Sequence, residues 1–485
     1  MDRNSAIGLT LIAALLLVYF YWFAPQPQPV QKPTEISTAG KLDTTRVQAP
    51  DSAALAAAYG DLSNFATGAE NLTTVENEDI RVVLSNRGGI IRELELKKYK
   101  TYSKKPLKLV TPERSIFSLI GNYKGKDIDL YSLFYEGQQS KNGDSTVVTY
   151  TLRLAGGASI AHIYSIPKAG HEIKYRIEQK GLAEQIAGDA LTYIWSDAIP
   201  PTEKDLEDTR NNTTITYFSA NDGFSKLSEN SSGENEVLNN PIKWVAIKEK
   251  FFLASLIAQN ANFKSGEVAT TVNSADTAVV EHAKIRLAID KASLAKNLDL
   301  KYYFGPNDYQ QIGVVAEDFQ QNIYLGWPPV KWINKFVIFP VFHFLTKIIS
   351  NYGLIIFILV LLLKLVLAPL SYRSFLSMAK MRVLKPELDE IKEKHGEDMA
   401  KVQQEQMKLY SSVGVNPISG CVPVLLQMPI LFAMFYLFPA SIELRQQPFL
   451  WAEDLSTYDS LIQLPFTVPF MGDHISLFTL LMTIT

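Results

Sequence analysis

Cysteine occurs once in these 485 residues, at Cys421. An intramolecular disulfide and a cysteine-rich metal site are both excluded by that count. Histidine is sparse too, and its six copies contain no H-x-x-x-H pair, so a zinc hydrolase of that kind has no support. No G-x-x-x-x-G-K-[ST] loop is present, which argues against ATP-driven transport by this chain. No Ser-His-Asp arrangement stands above chance. The expectation is a protein without metal, cofactor or catalytic residues. An excess of one charge is also lacking: 47 Lys and Arg face 50 Asp and Glu, for a net charge of −3. That balance gives no global attraction to nucleic acid or to an anionic surface.

Long apolar runs are present, and they are segregated. One spans residues 6–23 and ends in Tyr19, Phe20, Tyr21, Trp22 and Phe23, an aromatic group suited to the membrane–water interface. With no clean small-x-small cleavage site after it, it reads as an uncleaved anchor over residues 1–24. Residues 25–62 begin "APQPQPVQKPTE" and read as an extended Pro- and Gln-rich tether without fixed structure. Further apolar runs cover 353–370 and 421–440. A fourth begins near Ile475 and reaches Thr485, too short to cross the hydrocarbon as helix.

Between these runs the hydrophobic period is two. "STVVTYTLRL" puts Val148, Tyr150, Leu152 and Leu154 on one face, and "HEIKYRIEQ" alternates Ile173, Tyr175 and Ile177 with charged residues. Such alternation suits half-buried antiparallel strands. Similar short runs recur through "KFFLASLIA" and "LDLKYYFGP", so residues 63–325 read as an all-β sandwich or barrel, closed by a helix over about 309–323. Residues 326–350 mix Trp327, Trp332, Phe336, Phe339 and Phe342 with Lys331, Lys335 and Lys347, a composition suited to a helix lying in the headgroup plane; a buried helix of the β domain is the alternative.

Spanning helices are expected over 351–372 and 419–441, a charged helical hairpin over 373–418, a loop over 442–472, and the start of a last span over 473–485, within which the chain stops. Arg373, Lys380, Arg382 and Lys385 follow the first of these spans, which favours the cytoplasmic side for the hairpin. The later loop sets Arg445 alone against Glu443, Glu453, Asp454, Asp459 and Asp473, which favours the opposite side. Counting crossings back, the N-terminus is cytoplasmic and the β domain extracytoplasmic.

Three features carry candidate function. Lys364 lies inside "IFILVLLLKLVLAPL", where a charge costs about 2.5–3.5 kcal/mol on insertion scales unless it meets a cavity, a partner or water. Snorkelling of its stem to the cytoplasmic surface is the bland alternative. Gln427 is the second polar residue at membrane depth, between Pro423 and Pro429, and could serve a plain interhelical hydrogen bond as well as a polar pocket shared with Lys364. In the hairpin, Met378, Met381, Leu384, Leu388 and Ile391 follow a coiled-coil-like spacing, and Met399, Val402, Met407 and Tyr410 form a looser return stripe. Such a hairpin is either a solvated structural element or a docking surface for partners.

The stretches "SMAKMRVLKPEL", "LYSSVGVNPISGC", P-x-L-L-Q-M-P-I and "SIELRQQPFLWAEDLS" resemble the core of the YidC-type bacterial membrane protein insertases, matching about 110 residues in order. The anchor, the large β domain and the interfacial helix resemble the Gram-negative branch of that family. The resemblance implies a multi-domain membrane protein: an α-helical transmembrane core with a cytoplasmic hairpin, plus an all-β periplasmic domain of supersandwich type, in the bacterial inner membrane. It implies an insertase and chaperone for nascent membrane proteins, working alone or with the Sec translocon, with the ribosome as a further candidate partner and in contact with lipid, without nucleotide hydrolysis or nucleic-acid specificity. By the same resemblance Lys364, Gln427, Val360, Pro423 and Pro429 belong to a hydrophilic groove, and the hairpin residues Met378, Met381, Leu384, Leu388, Ile391, Met399 and Met407 to substrate capture. Lys364 stands where the family commonly has Arg, which keeps the charge but not the planar five-donor fork. Two other classes stay open: a tethered periplasmic carbohydrate-binding or carbohydrate-modifying protein, and a proton-coupled transporter using Lys364.

Overall fold

The computed structural model describes residues 52–396, 398–414, 422–460, 462–468 and 472–484. The expected anchor and most of the tether lie outside the described residues. The tether's last part differs from expectation. The Ala-rich segment "SAALAAAY" forms helix α1, Ser52–Tyr59, and a 3₁₀ turn follows at Gly60–Phe65. Alanine has the highest helix propensity, and Leu62 is fully buried in the adjoining core.

Two antiparallel sheets make the body of the β domain. Nine strands run edge to edge through Gly223–Lys226, Thr214–Ser219, Ile242–Lys248, Phe252–Ala258, Leu298–Pro306, Glu172–Lys180, Ser159–Pro167, Ser145–Arg153 and Glu136–Asn142. Six strands form the second sheet: Gly233–Leu238, Ser265–Thr271, Glu281–Asp290, Ile186–Ile199, Ser115–Tyr123 and Lys126–Asp129. A four-stranded meander from Leu72 to Val110 packs at one end. The main core lies between the sheets, with Tyr150, Ile173, Tyr175 and Leu300 from one and Leu119, Leu191, Trp195 and Ile285 from the other.

The strand Glu172–Lys180 buries alternate residues, as half-buried strands do. Thr214–Ser219 and Phe252–Ala258 are instead buried along their whole length. Their second face is covered by a further apolar cluster. It joins Phe218, Trp244 and Leu253 of the sheet to Phe319 and Ile323, and continues into the helical region.

The segment that closes the domain is not one helix. It is a helical turn at Tyr309–Ile312 and a 3₁₀ turn at Phe319–Asn322, because Asp318 takes a left-handed φ of +54° between them. Lys301 Nζ–H donates to the Val315 carbonyl (2.6 Å) and Trp244 Nε1–H to that of Glu317 (2.8 Å), which pins the irregular backbone to the sheet.

The interfacial segment starts at Gly326, whose φ of +90° favours glycine and where a Cβ would stand 2.5 Å from Val330 Cγ1. Helix α2, Pro328–Ile333, follows, with prolines in its first turn where no N–H is needed. A π turn at Asn334–Ile338 leads into α3, Phe339–Thr346. Pro340 cannot donate to the preceding turn, and the wider π turn absorbs the mismatch. Val330, Ile338, Phe342 and Leu345 face inward, while Trp332, Phe336 and Phe344 are exposed.

Helix α4, Tyr352–Val383, is capped by Asn351, whose side chain accepts from Leu354 N–H at 3.0 Å. At 32 residues it is far longer than the span expected to end at residue 372. It runs through Pro369 and past residue 372, and continues as one helix to Val383, before Pro386 enters the first turn of α5, Lys385–His395. Helix α6, Met399–Ser412, packs back on α5. Helix α7, Val422–Ala440, then pairs with α4. Two strands, Ile462–Val468 in the segment expected to be a plain loop and Gly472–Ile475 at the expected start of the last span, form a hairpin, and α8, Leu477–Ile484, follows.

Candidate functional site

The spacing of α4 puts Val360, Leu363, Lys364 and Leu367 on one stripe, and that of α7 puts Gln427, Ile430, Leu431 and Met434 on another. These eight side chains line one narrow crevice of about 30 Å³ between the two helices. Three of the residues singled out in the sequence, Val360, Lys364 and Gln427, are thus brought together. Lys364 is exposed, Val360 and Gln427 half-buried. Among the described residues Lys364 has no hydrogen-bond or ion-pair partner, whereas Lys394 and Lys408 of the hairpin each pair with a glutamate.

Pro423 and Pro429 do not line the crevice. Pro423 is the second residue of α7, where a missing N–H costs nothing, so it frees no carbonyl as two mid-span prolines would. Pro429 is interior and leaves the Leu425 carbonyl without its helical donor. Pro369, inside α4, does the same to Leu365, the neighbour of Lys364. Polar backbone atoms therefore accompany Lys364 and Gln427 at this depth.

The helix pair is closed at one end. Within the apolar part of α4 the buried residues are Gly353, Ile355 and Leu359, all in its first turns, and in α7 they are Ala433 and Leu437, near its end. Ile355, Leu359, Ala433 and Leu437 join Val330, Ile338, Phe342 and Leu444 in the cluster that reaches the β sheet. Away from that plug the helix faces are open: Phe357, Leu361, Leu365 and Val366 of α4 and Leu425, Leu426 and Phe435 of α7 are exposed.

In the hairpin, Leu384 is buried and Met378, Met381, Leu388 and Ile391 are partly covered, so the expected seam forms. The return stripe is different. Val402 is buried, but Met399 and Met407 are 74% and 53% exposed, pointing away from the seam.

Sequence reasoning missed the second constellation, where the loop after α7 meets the β domain. Arg445 Nε–H donates to Glu203 Oε1 at 2.8 Å, and its Nη2–H to the Lys100 carbonyl at 2.6 Å. Lys250 Nζ–H reaches the Ser456 carbonyl (3.2 Å), and the Lys204 ammonium lies 4.9 Å from the Tyr458 ring centre. Burial pushes Glu203 up against the pull of Arg445. Nearby Glu249 is pushed up to about 7 by burial, with Arg114 opposing and Asp197 and Glu203 adding to the rise. The one available signal was Arg445 as the lone cation in an acidic loop.

Fold and site together define a membrane protein whose helical core is fused to a large β domain. The chain matches the model described as "YidC periplasmic domain" over residues 72–340 and that described as "60Kd inner membrane protein" over residues 344–485. It is 41% identical over 492 residues to the membrane protein insertase YidC of Amoebophilus asiaticus, covering 100% of this chain and 82% of that one. To the insertase of the same name from Cytophaga hutchinsonii it is 44% identical over 505 residues, covering 100% and 81%. A solved structure described as an active YidC insertase with the first transmembrane domain resolved is similar at 18% identity and a TM-score of 0.31, covering 81% of this chain and 78% of that one. The chain belongs to the YidC family of membrane protein insertases. It acts on membrane proteins in the inner membrane, with the β domain in the periplasm, and its work is insertion and not enzymatic turnover.

Proposed function

We propose that the crevice between α4 and α7 is the groove through which substrates enter the bilayer. Lys364 attracts the short polar or acidic extracytoplasmic part of a substrate, and Gln427 offers it hydrogen bonds from the facing helix. The substrate's apolar segment then moves along the exposed faces of α4 and α7 into lipid, driven by hydrophobic partitioning. No nucleotide is consumed. The hairpin makes first contact with nascent chains on the ribosome, through the seam residues Met378 to Ile391 and the exposed Met399 and Met407. Some substrates are handed over by a translocon.

The observation that carries this reading is an ammonium with no partner among the described residues, beside Gln427, in a crevice closed on the β-domain side. The docking of the Arg445 loop on the periplasmic domain supports an orientation in which α4 runs from periplasm to cytoplasm, with the hairpin and the N-terminus cytoplasmic. Photo-crosslinking amino acids at positions 364 and 427, with the exposed Phe344 of α3 as a control outside both helices, test it on ribosome-bound nascent membrane proteins. Adducts from 364 and 427 in excess of those from 344 are expected; equal adducts from all three would remove the groove.

A further inference from the structure

We propose that the turn from Phe449 to Ala452 is a lipid anchor that inserts Leu450 and Trp451 into the headgroup region of the outer leaflet. Phe449 and Ala452 exchange both backbone hydrogen bonds, at 2.8 and 3.0 Å, closing a two-residue turn on Leu450 and Trp451. Leu450 takes a φ of +54°, the region where turns normally carry Gly, Asn or Asp. A large apolar residue there is strained, and at 71% exposure the protein offers it little packing to offset that strain. The compensation lies outside the chain. Residues 446–452, "QQPFLWA", carry no charge, so the tip has no charged group to desolvate.

The position of the turn identifies what covers it. The Phe449 ring sits on Gly353, the second residue of α4, so closely that a Cβ there would stand 2.1 Å from the ring. Trp451 packs on Phe478 in the first turn of α8, with ring centres 4.6 Å apart. Its Nε1–H donates to Asp459 at 2.9 Å, leaving the indole without an unmet polar atom. The turn is thus wedged between the starts of two apolar helices. The interfacial helix packs on the same end of α4 through Phe342 and Tyr352, whose ring centres are 6.1 Å apart. The tip therefore stands at the start of α4, at the level of the interfacial helix. Two projecting side chains make a wedge and not a groove, which suits lipid better than a folded partner. Because Arg445 lies five residues before Leu450 and holds the β domain, the anchor also sets the height of that domain above the bilayer.

The proposal rests on the periplasmic placement of this loop, and the test separates the two. The full chain carries Cys421→Ala, with either Leu450→Cys or, on the exposed edge strand of the β domain, Gln139→Cys, each bearing an environment-sensitive nitrobenzoxadiazole label. Each is reconstituted in phosphatidylcholine–phosphatidylglycerol vesicles with and without headgroup-proximal nitroxide lipid. Label at 450 is expected to be quenched roughly twofold or more, and label at 139 hardly at all. Equal quenching at the two positions overturns the anchor. Glu453→Cys, two residues beyond the tip, is labelled by a membrane-impermeant maleimide in spheroplasts if the loop is periplasmic; protection there overturns the placement instead. Leu450→Gly, which relaxes the turn, is expected to keep its melting temperature in detergent but to lose much of the gain the parent shows on reconstitution. An unchanged gain counts against the anchor.

Discussion

Arg445 and Glu203 are 242 residues apart in the chain and 2.8 Å apart in space, with side-chain exposures of 3% and 9%. The pair fastens the loop that leaves α7 to the periplasmic domain. It is a buried ion pair, so its net contribution is small, but breaking it on one side is expensive because a lone charge stays buried. Arg445→Met is expected to cost about 3–5 kcal/mol of stability, and Glu203→Met on top of it to recover most of that loss. Chemical denaturation of the four proteins of this double-mutant cycle measures the coupling. If Arg445→Met alone proves neutral, the pair is not the fastening.

Glu249 gives the domain a pH dependence of known sign. Its carboxyl is fully enclosed and pushed up to about 7, chiefly by burial, with the Thr202 hydroxyl at 3.4 Å. A carboxyl raised in the folded state binds its proton more tightly there than when unfolded. Its stabilising effect is complete below the ordinary glutamate range and is lost as pH rises through about 7. Glu281, also buried and raised to about 7, acts in the same direction. Glu249→Gln is therefore expected to gain on the parent by about 2–3 kcal/mol at pH 8 and to show no such gain at pH 4. Melting curves of both proteins at the two pH values check this.

Gly353 is required by a contact and not by its backbone angles. A Cβ at this position would stand 2.1 Å from the Phe449 ring, far inside van der Waals contact. Gly353→Ala is expected to displace the loop and cost about 1–3 kcal/mol, as overpacking does elsewhere. The smaller ring space left by Phe449→Leu should restore part of it. Limited proteolysis within residues 446–456 reads the loop directly: faster cleavage in Gly353→Ala, slowed again in the double variant, is the expected pattern.

The half-buried strands were plain in the sequence because alternation is a local signal. The strand Phe252–Ala258 was located from the run "KFFLASLIA", but the meaning of its near-continuous hydrophobicity was not drawn. Apolar residues on both faces require a cover on both faces, and here the second cover is the segment leading to the membrane helices. That cover depends on contacts between distant parts of the chain, which no local period reports. The same holds for Arg445: a lone cation is visible in sequence, its partner 242 residues away is not. Helix α4 shows the opposite lesson. Hydropathy ends near Leu370 and Pro369 beside it offers a stop signal, yet the helix runs through both and ends only before Pro386. On the candidate site, spacing alone put Lys364 and Val360 one turn apart. Gln427 joined them only through the register between α4 and α7, which packing decides.

Lys364 is where charge type and charge sign can be separated. Its ammonium is exposed in the crevice and has no carboxylate partner among the described residues, so changing it breaks no ion pair there. Effects on insertion then report on substrate and not on folding. For a partly hydrated pair, each acidic residue near the ammonium contributes up to about 1 kcal/mol, a several-fold preference. Lys364→Arg should support insertion of substrates with acidic periplasmic tails as well as the parent does. Lys364→Gln should lower it several-fold, and Lys364→Glu should reverse the preference toward tails carrying Lys. Raising the salt concentration should shrink these differences, because a hydrated groove is screened. Reconstituted vesicles and a set of substrates differing only in tail charge provide the measurement. If all four proteins insert every substrate equally, Lys364 snorkels to the surface, and the groove works by shape and hydration alone.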